Sequence, residues 1–582
     1  MRDGTARRLG AAALAAVCLW ANGALAGEPV NDLRVVIDVS GSMKRNDPRN
    51  LRAPALRLLV GLLPEGTRAG VWTFGRYVNM NVRHGPVTAA WKARARREAA
   101  RIHSRGLYTN MEEALEKAAF GWTRPDPRYR RHLLLLTDGM VDISRDPAAN
   151  RASRRRILQR LLPRLRRAGV KIHTIALSPQ ADAELLATLS RASGGRFEQV
   201  NDVAGLQKVF LRLFEQAAPA DSLPIRGNRF QVDRAVTDMT LLVFRQPQAP
   251  PLRVHLPGGG VWTAERHPDP VRWYREKGYD LVTVPRPAAG QWTLETAPDP
   301  DNRVLVLTNL RLKHAPLPAT LLAGDTPALA AWLEQRGRTV TRADFLRLVA
   351  FSAEHAPPGE RPRTVTLARR GAGRHEAKLP PLRQAGMHEI ALIARGPTFE
   401  RQRHLRVEVL DAPARVEVRR DGIVVTPVPG LLAPDTVEAA AELVPGGPLA
   451  LVRGEGGRFT AVLGPEHAGA RVQVRLSGRR HDGRTLEMSV ERRIPGGTPA
   501  PAPGPKEKER DEDGKPGPKD SGGEAHPPKP EQEEGSPLGR VLMWVGLVNL
   551  LLAAAGAGGW LAWRRFGRRK SGALEAELEE DE

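Results

Sequence analysis

Short apolar runs alternate with stretches of helical periodicity in the first part of the chain. The runs within DLRVVIDVSGSM, RRHLLLLTDGM and KIHTIALS are typical of buried strands, whereas ALRLLVGLL and LQKVFLRLFEQ place apolar residues at helical spacing. Strands that alternate with helices predict a doubly wound, Rossmann-like α/β domain with a mainly parallel sheet, which we place at residues 27–218. Asp47 and Pro48 are the expected N-cap and first residue of the helix through ALRLLVGLL.

The pattern changes after residue 222, where apolar and polar residues alternate in short runs separated by proline and glycine. This alternation predicts an all-β region of immunoglobulin-like sandwiches, which we divide into domains at 222–312, 313–408 and 409–494. Short helices are expected around DTPALAAWLEQ and RADFLRLVAF.

The N-terminal segment has the pattern of a secretory signal peptide. Arginines precede an apolar run, and Ala24 and Ala26 provide a small-residue cleavage site, so residues 1–26 are expected to be removed. Cys18, the one cysteine of the chain, lies within this segment. The mature protein would then hold no disulfide, and lipidation at Cys18 is an alternative that the preceding residues fit poorly.

A second apolar segment, Val541–Trp563, predicts a transmembrane helix, because at about 1.5 Å per residue it would span roughly 34 Å. The cluster RRFGRRK that follows predicts a cytoplasmic tail at 564–582. Residues 495–537 are rich in proline and in charges of both signs, which predicts a disordered linker. These features indicate a single-pass protein of a bacterial cytoplasmic membrane, with the ectodomain in the periplasm or outside the cell and the oligomeric state open.

Candidate metal ligands follow two of the predicted strands and precede one helix. Asp38, Ser40 and Ser42 lie in the turn after the first strand, and Asp138 ends the strand HLLLLT. Thr109 lies before the amphipathic helix MEEALEKAAF. Because ligands bind at the carboxyl ends of the strands in open α/β sheets, we expect these oxygen donors to converge, and oxygen donors suit Mg²⁺.

On these residues the chain resembles the von Willebrand factor type A (VWA, integrin I-like) family. The resemblance implies a metal-ion-dependent adhesion site, in which the two serines and the threonine approach Mg²⁺ and the aspartates act directly or through water. A partner protein would complete the coordination with an Asp or Glu side chain. Mn²⁺ and Ca²⁺ are alternative cations, and a serine-rich strand end without metal is the alternative interpretation of the motif.

The net charge of +24 is concentrated in arginine-rich stretches such as RASRRRILQRLLPRLRR. In a cytoplasmic protein this charge would suggest nucleic acid as a partner, but the predicted export argues against it. A solvated helix face or an anionic partner accounts for the charge instead. The histidines lack metal-site spacing, and no nucleophile elbow or phosphate-binding loop is present, so we expect no enzyme.

We therefore expect a membrane-anchored binding protein that acts in adhesion or in the assembly of an envelope complex. An envelope signalling or assembly scaffold, which links ectodomain binding to the cytoplasmic tail, is one alternative. A hydrolase within the β region is the other, because catalytic groups need only converge in space.

Overall fold

The computed structural model describes residues 29–495, except for 201–204, 219, 247, 455–456 and 481–482. The predicted signal peptide, the transmembrane segment Val541–Trp563, the cytoplasmic tail and all of the linker except Pro495 lie outside the described residues. Among the described residues, no helix is both long enough and apolar enough to cross a membrane.

The N-terminal domain contains a six-stranded sheet in which the strand order is β3-β2-β1-β4-β5-β6. Its strands are β1 (Val30–Asp38), β2 (Arg68–Phe74), β3 (Val78–Pro86), β4 (Tyr129–Thr137), β5 (Val170–Ala176) and β6 (Phe197–Gln199). All neighbouring pairs are parallel except β2 and β3, which are antiparallel. The central strands are buried on both faces, as the continuous apolar runs predict.

Helices cover both faces of this sheet. They are α1 (Met43–Asn46), α2 (Arg52–Leu62), α3 (Ala89–Ala99), α4 (Met111–Ala118), α5 (Pro147–Arg156), α6 (Leu162–Arg167), α7 (Ala183–Ser193) and α8 (Leu206–Ala217). A π-helical segment, Ile157–Leu161, joins α5 to α6. The doubly wound arrangement of the N-terminal domain agrees with the sequence pattern.

The predicted start of the second helix is wrong. Asp47 is the C-cap residue of α1, which ends at Asn46. The helix α2 begins at Arg52, and its N-cap residue is Leu51. The carboxylate of Asp47 nevertheless accepts hydrogen bonds from the backbone N–H groups of Leu51 and Arg52, at 2.7 and 3.2 Å. Asp47 thus satisfies the helix start from a loop position, because its side chain reaches donors four and five residues ahead.

Strands dominate the rest of the described chain. The first group comprises β7 (Asp221–Leu223), β8 (Arg229–Val232), β9 (Val236–Phe244), β10 (Arg253–His255), β11 (Val261–Trp262), β12 (Arg272–Glu276), β13 (Tyr279–Pro285), β14 (Gly290–Glu295) and β15 (Arg303–Thr308). Sheet β11-β10-β14-β8 faces strands β12-β13-β9-β15, which belong to a ten-stranded sheet that continues through β7 into later strands of the chain. Trp292 and Leu241 from the two sheets share one core.

The second group comprises β16 (Leu310–His314), β17 (Thr320–Leu322), β18 (Ala328–Gln335), β19 (Arg338–Thr339), β20 (Ala350–Ala356), β21 (Arg363–Thr366), β22 (Ala368–Arg369), β23 (His375–Lys378), β24 (Gly386–Arg395) and β25 (Glu400–Leu410), with one short helix, α9 (Ala343–Leu346). The helix expected around DTPALAAWLEQ is wrong, since β18 pairs with β16 and β23. Pairing on both sides and the burial of Leu329, Ala330, Ala331 and Leu333 stabilise the strand and override the helix propensity of its alanines and leucines.

The third group forms two four-stranded sheets, β26-β27-β31-β30 and β29-β28-β32-β33. Its strands are β26 (Ala414–Val418), β27 (Gly422–Pro427), β28 (Glu438–Val444), β29 (Gly447–Leu449), β30 (Val452–Arg453), β31 (Phe459–Val462), β32 (Arg471–Arg479) and β33 (Thr485–Arg493). Ile423 and Val474 belong to the core that these two sheets share.

The N-terminal domain packs against the strand-rich region through α2 and α8. Leu242 of β9 and Leu281 of β13 belong to the same buried cluster as the apolar residues of both helices. The hydroxyl of Tyr279 donates to the carbonyl of Pro54 at 3.1 Å, and Arg57 pairs with Glu276 at 2.6 Å. One face of the N-terminal domain is therefore buried against the strand-rich region. Experiments on this domain need a chain that includes that region.

Candidate metal centre

Asp38 is the last residue of the central strand β1, and its side chain is fully buried. Its carboxylate accepts a hydrogen bond from the backbone N–H of Ser40 at 2.8 Å and another from the hydroxyl of Thr137 at 2.6 Å. These bonds hold the turn after β1 against the end of β4. The turn then places the hydroxyls of Ser40 and Ser42 side by side, with 3.0 Å between their oxygens.

Glycine lets the loop that carries Thr109 approach this turn. The N–H of Gly106 donates to the carbonyl of Val39 at 2.8 Å. A Cβ at position 106 would lie 2.8 Å from that same carbonyl oxygen, so any larger residue would push the loop away. The close approach brings the segment that leads to Thr109 beside Ser40.

Tyr108 adopts a left-handed conformation, with φ of 61°. For a bulky residue this conformation costs on the order of 1–3 kcal/mol, and such strain concentrates at functional sites. Tyr108 lies between Leu107, whose side chain is exposed, and Thr109, whose side chain is buried. The backbone of Thr109 then pairs with that of Asp142 through bonds of 2.6 and 3.2 Å, which ties this loop to the loop after β4.

The loop after β4 brings Asp138 to the two serines. The hydroxyl of Ser42 donates to Oδ1 of Asp138 at 2.8 Å, and a Cβ added to Gly139 would lie 3.5 Å from Oγ1 of Thr109. The structure therefore brings together all five residues that the sequence singles out, at the carboxyl ends of β1 and β4. We call the loops 38–43, 75–77, 105–110 and 138–142 the crest.

The oxygen spacing in the crest fits a small cation. Adjacent corners of an octahedron with metal–oxygen bonds of about 2.0–2.1 Å are about 2.9 Å apart. The hydrogen-bonded Ser40–Ser42 and Ser42–Asp138 oxygen pairs lie 3.0 and 2.8 Å apart, so the spacing within each pair also fits two neighbouring ligands of Mg²⁺. The donor set has few carboxylates, and no group of three or more His, Cys, Asp or Glu side chains within the described residues has a metal-site arrangement.

Electrostatics at the crest favour a positive charge. Burial raises the pKa of Asp38 to about 6, although hydrogen bonds from Thr137 and Ser40 act in the opposite direction, and the nearby Asp138 raises it further. Both carboxyl groups lie at the same end of the sheet. A divalent cation between them would compensate this accumulation of negative charge.

Three supporting residues escape the sequence analysis. The amide of Asn46 donates to Oδ2 of Asp138 at 2.8 Å, and the hydroxyl of Ser178 donates to the carbonyl of Asp138 at 2.6 Å. Arg52, with no exposed surface, donates to the carbonyl of Asp38 at 2.7 Å and pairs with Asp47. Asn46 lies four residues after Ser42, a spacing that places both on one helix face, so this partner had a sequence signal.

A family profile described as the von Willebrand factor type A domain matches residues 32–212. The chain contains a von Willebrand factor type A domain. The match runs from within β1 to within α8 and includes the whole crest, and it agrees with the family resemblance of the motif. The VWA domain is followed by the strand-rich region described above.

Solved structures similar to the chain include a von Willebrand factor type A protein from Catenulispora acidiphila, with 14% identity, a TM-score of 0.28 and coverage of 66% of this chain and 67% of that one. The ArnB paralog VWA2 from Sulfolobus acidocaldarius has 12% identity, a TM-score of 0.24 and the same coverage. Proximal thread matrix protein 1 from the mussel byssus has 19% identity and a TM-score of 0.26, with coverage of 32% of this chain and 46% of that one. The chain thus spans less than half of the byssus protein. No curated protein matches the chain.

Proposed function

We propose that the VWA domain binds Mg²⁺ through Asp38, Ser40, Ser42, Thr109 and Asp138 and captures an Asp or Glu side chain of a partner protein. The observation that supports this most is the spacing of the Ser40, Ser42 and Asp138 oxygens, with 3.0 Å between the first two and 2.8 Å between the last two, at the carboxyl ends of the strands. Mg²⁺ and Mn²⁺ suit this spacing better than Ca²⁺, which takes more ligands at longer distances of about 2.3–2.6 Å.

The composition of the donor set supports a role in binding an external anion. Three of the five proposed ligands are neutral hydroxyls, so they leave the charge of a bound cation largely uncompensated. When bound, the cation would supply an electrophilic centre that accepts a carboxylate from outside. The serines, Thr109 and the aspartates would orient that centre towards solvent.

We further propose that the domain is exported and anchored by the apolar segment Val541–Trp563, and that the linker at 495–537 separates it from the membrane. The strand-rich modules, which we interpret as immunoglobulin-like, would act as spacers and secondary contacts. The role would be binding in adhesion or in envelope complex assembly, without catalysis.

The direct test is a Mg²⁺ titration of the full-length protein after treatment with a chelator, followed by thermal unfolding. Binding to the folded state alone raises its stability, by about 2.7 kcal/mol at a Mg²⁺ concentration of 100 times Kd. We expect this rise in the native protein and its loss in Ser42→Ala and Asp138→Asn. Asp142→Asn is the matched control, since Asp142 is an exposed carboxylate of the same crest whose side chain contacts Asn150 instead.

An equal rise in Asp138→Asn and in the native protein would place the Mg²⁺ elsewhere and refute the assignment. A response lost in Asp142→Asn as well would indicate a general effect of negative charge on the crest. Partner capture that survives chelation would refute the metal-dependent part of the proposal.

A further inference from the structure

Three exposed apolar side chains belong to the loops of the crest. Tyr77, Leu107 and Met140 are 70%, 68% and 61% exposed. Single exposed apolar residues are normal on protein surfaces, but a group gathered at one place marks a contact surface. We call these three residues the apolar rim.

The three rim residues come from three different loops that the backbone brings together. The N–H of Gly75 donates to the carbonyl of Tyr77, and a Cβ at Gly75 would lie 3.1 Å from the carbonyl oxygen of Leu107. Met140 follows Gly139, the residue that approaches Thr109. The rim residues therefore lie on three adjoining loops of the crest: Tyr77 on the second, Leu107 on the third, and Met140 on the fourth, two residues after Asp138.

Four exposed cations lie on the loops of the crest and on α1, which follows its first loop. Lys44 and Arg45 are on α1, in the same helical turn as Asn46, and Arg76 and Arg105 directly precede Tyr77 and Gly106. None of these four side chains forms an ion pair with another described residue. We call them the cationic ring. Their charge would attract a partner segment with several carboxylates.

We propose that the partner presents its metal-binding Asp or Glu within an acidic segment that also carries an apolar side chain next to that residue. This inference rests on the proposed function and adds the partner's chemical character. The metal would take the central carboxylate, the apolar rim would cover the neighbouring side chain, and the cationic ring would face the outer acidic residues. The combination selects against a carboxylate in a basic or wholly polar segment.

The test uses an array of immobilised synthetic nonapeptides that share a central Glu. The adjacent positions carry Leu, Ser or Lys, the outer positions carry Glu, Ser or Lys, and a parallel set has Gln at the centre. Binding of the full-length protein is measured in Mg²⁺ and in chelator. We expect peptides with adjacent Leu and outer Glu to bind about tenfold or more tightly than those with adjacent Ser, because burying a Leu side chain contributes that much.

Variants of the protein test whether the apolar rim causes the preference for adjacent Leu and the cationic ring causes the preference for outer Glu. Leu107→Ser with Met140→Ser should remove the preference for adjacent Leu, and Arg76→Glu with Arg105→Glu should remove the preference for outer Glu together with its salt dependence. Both pairs should keep the Mg²⁺ requirement. Arg347→Glu and Leu348→Ser are matched controls. They remove an exposed cation and an exposed apolar side chain that lie just after α9, in another part of the chain.

Two failures are distinguishable. This inference would be overturned, and the proposed function would stand, if binding required Mg²⁺ and the central Glu but did not depend on the flanking residues. The same conclusion would follow if the rim and ring variants behaved like the controls. The absence of any signal that depends on both Mg²⁺ and the central Glu would overturn the proposed function itself.

Discussion

Strand β1 carries two aspartates, at opposite ends, with very different surroundings. Asp32 is buried among hydrogen-bond donors. Its carboxylate contacts His84 at 2.8 Å, the indole N–H of Trp122 at 3.2 Å and the guanidinium of Arg34 at 3.4 Å. Asp38 is equally buried but lies beside a second carboxyl group and hydroxyls. The two residues share a strand and a side-chain type, and only their neighbours differ.

The difference separates a structural charge from a candidate ligand. Burial by itself raises the pKa of Asp32, but the hydrogen bond from His84 and the charge of Arg34 overcome this, so its pKa lies below the usual value. Arg34 also lies 3.7 Å above the Trp122 ring and donates to the carbonyl of Ala118 at 2.6 Å. Asp32 thus has its positive charge within the fold. The side-chain oxygens of Asp38 and Asp138 instead accept hydrogen bonds from neutral groups, and Arg52 bonds to the backbone carbonyl of Asp38, which is why an external cation fits at the side-chain oxygens.

The largest expected effect comes from breaking the Asp32 cluster. Arg34→Met should lower the free energy of unfolding by about 3–5 kcal/mol, because it removes the guanidinium from a buried carboxylate that then keeps only His84 and Trp122 as partners. The Mg²⁺ response of the crest should remain. Denaturant unfolding of the full-length protein, with and without Mg²⁺, measures both quantities.

Arg68→Met is a control for the loss of a nearby arginine, since Arg68 lies opposite Asp32 on β2 but its guanidinium is placed over the Tyr129 ring, 5.9 Å from the ring centroid. A loss of Mg²⁺ response in Arg34→Met that is absent from Arg68→Met would show that the two ends of β1 are coupled. It would also contradict the division drawn between them.

How far the sequence predicts these two clusters depends on the range of the interactions. Asp38, Ser40 and Ser42 belong to one local motif, and the positions of Thr109 and Asp138 follow from the rule that strand ends share an edge. The Asp32 cluster has no such signal, because His84 and Trp122 come from β3 and from the loop after α4. The strand at DTPALAAWLEQ was missed for a similar reason, since only its partners β16 and β23 favour the extended form.

A smaller effect is expected from the support of Asp138. Asn46→Ala removes the amide that donates to Oδ2 of Asp138 at 2.8 Å. Loss of such an outer contact lowers metal affinity by about 10- to 100-fold, because it lets the ligand rotate. The Mg²⁺ concentration at half response in thermal unfolding should rise accordingly, whereas Asn79→Ala, at an exposed position on β3, should not change it. An unchanged midpoint in Asn46→Ala would mean that Asp138 is oriented by Ser42 alone.

Two buried histidines in the same sheet, His132 and His173, form a further polar pair. The charges close to His173 are those of the cations Lys171 and Arg196. His132 of β4 and His173 of β5 are buried, with their rings stacked and Nδ1 of His132 3.0 Å from Nε2 of His173. Burial lowers the pKa of His173 to about 3, and the nearby charges of Lys171 and Arg196 act in the same direction. Burial also holds the pKa of His132 well below its usual value. Both rings are therefore neutral in the folded protein.

This pair predicts a pH dependence of stability with a definite sign. The unfolded chain takes up protons on these histidines below about pH 6.5, while the folded protein does not, so the free energy of unfolding falls as the pH falls. For His173 alone the loss at pH 5.5 is about 1.4 kcal/mol relative to neutral pH. Denaturant unfolding between pH 7.5 and 5.5 measures it, and the double variant His132→Leu with His173→Leu should show a shallower slope. An unchanged slope in that variant would assign the pH dependence to other buried groups, among them His404, whose pKa burial lowers to about 4.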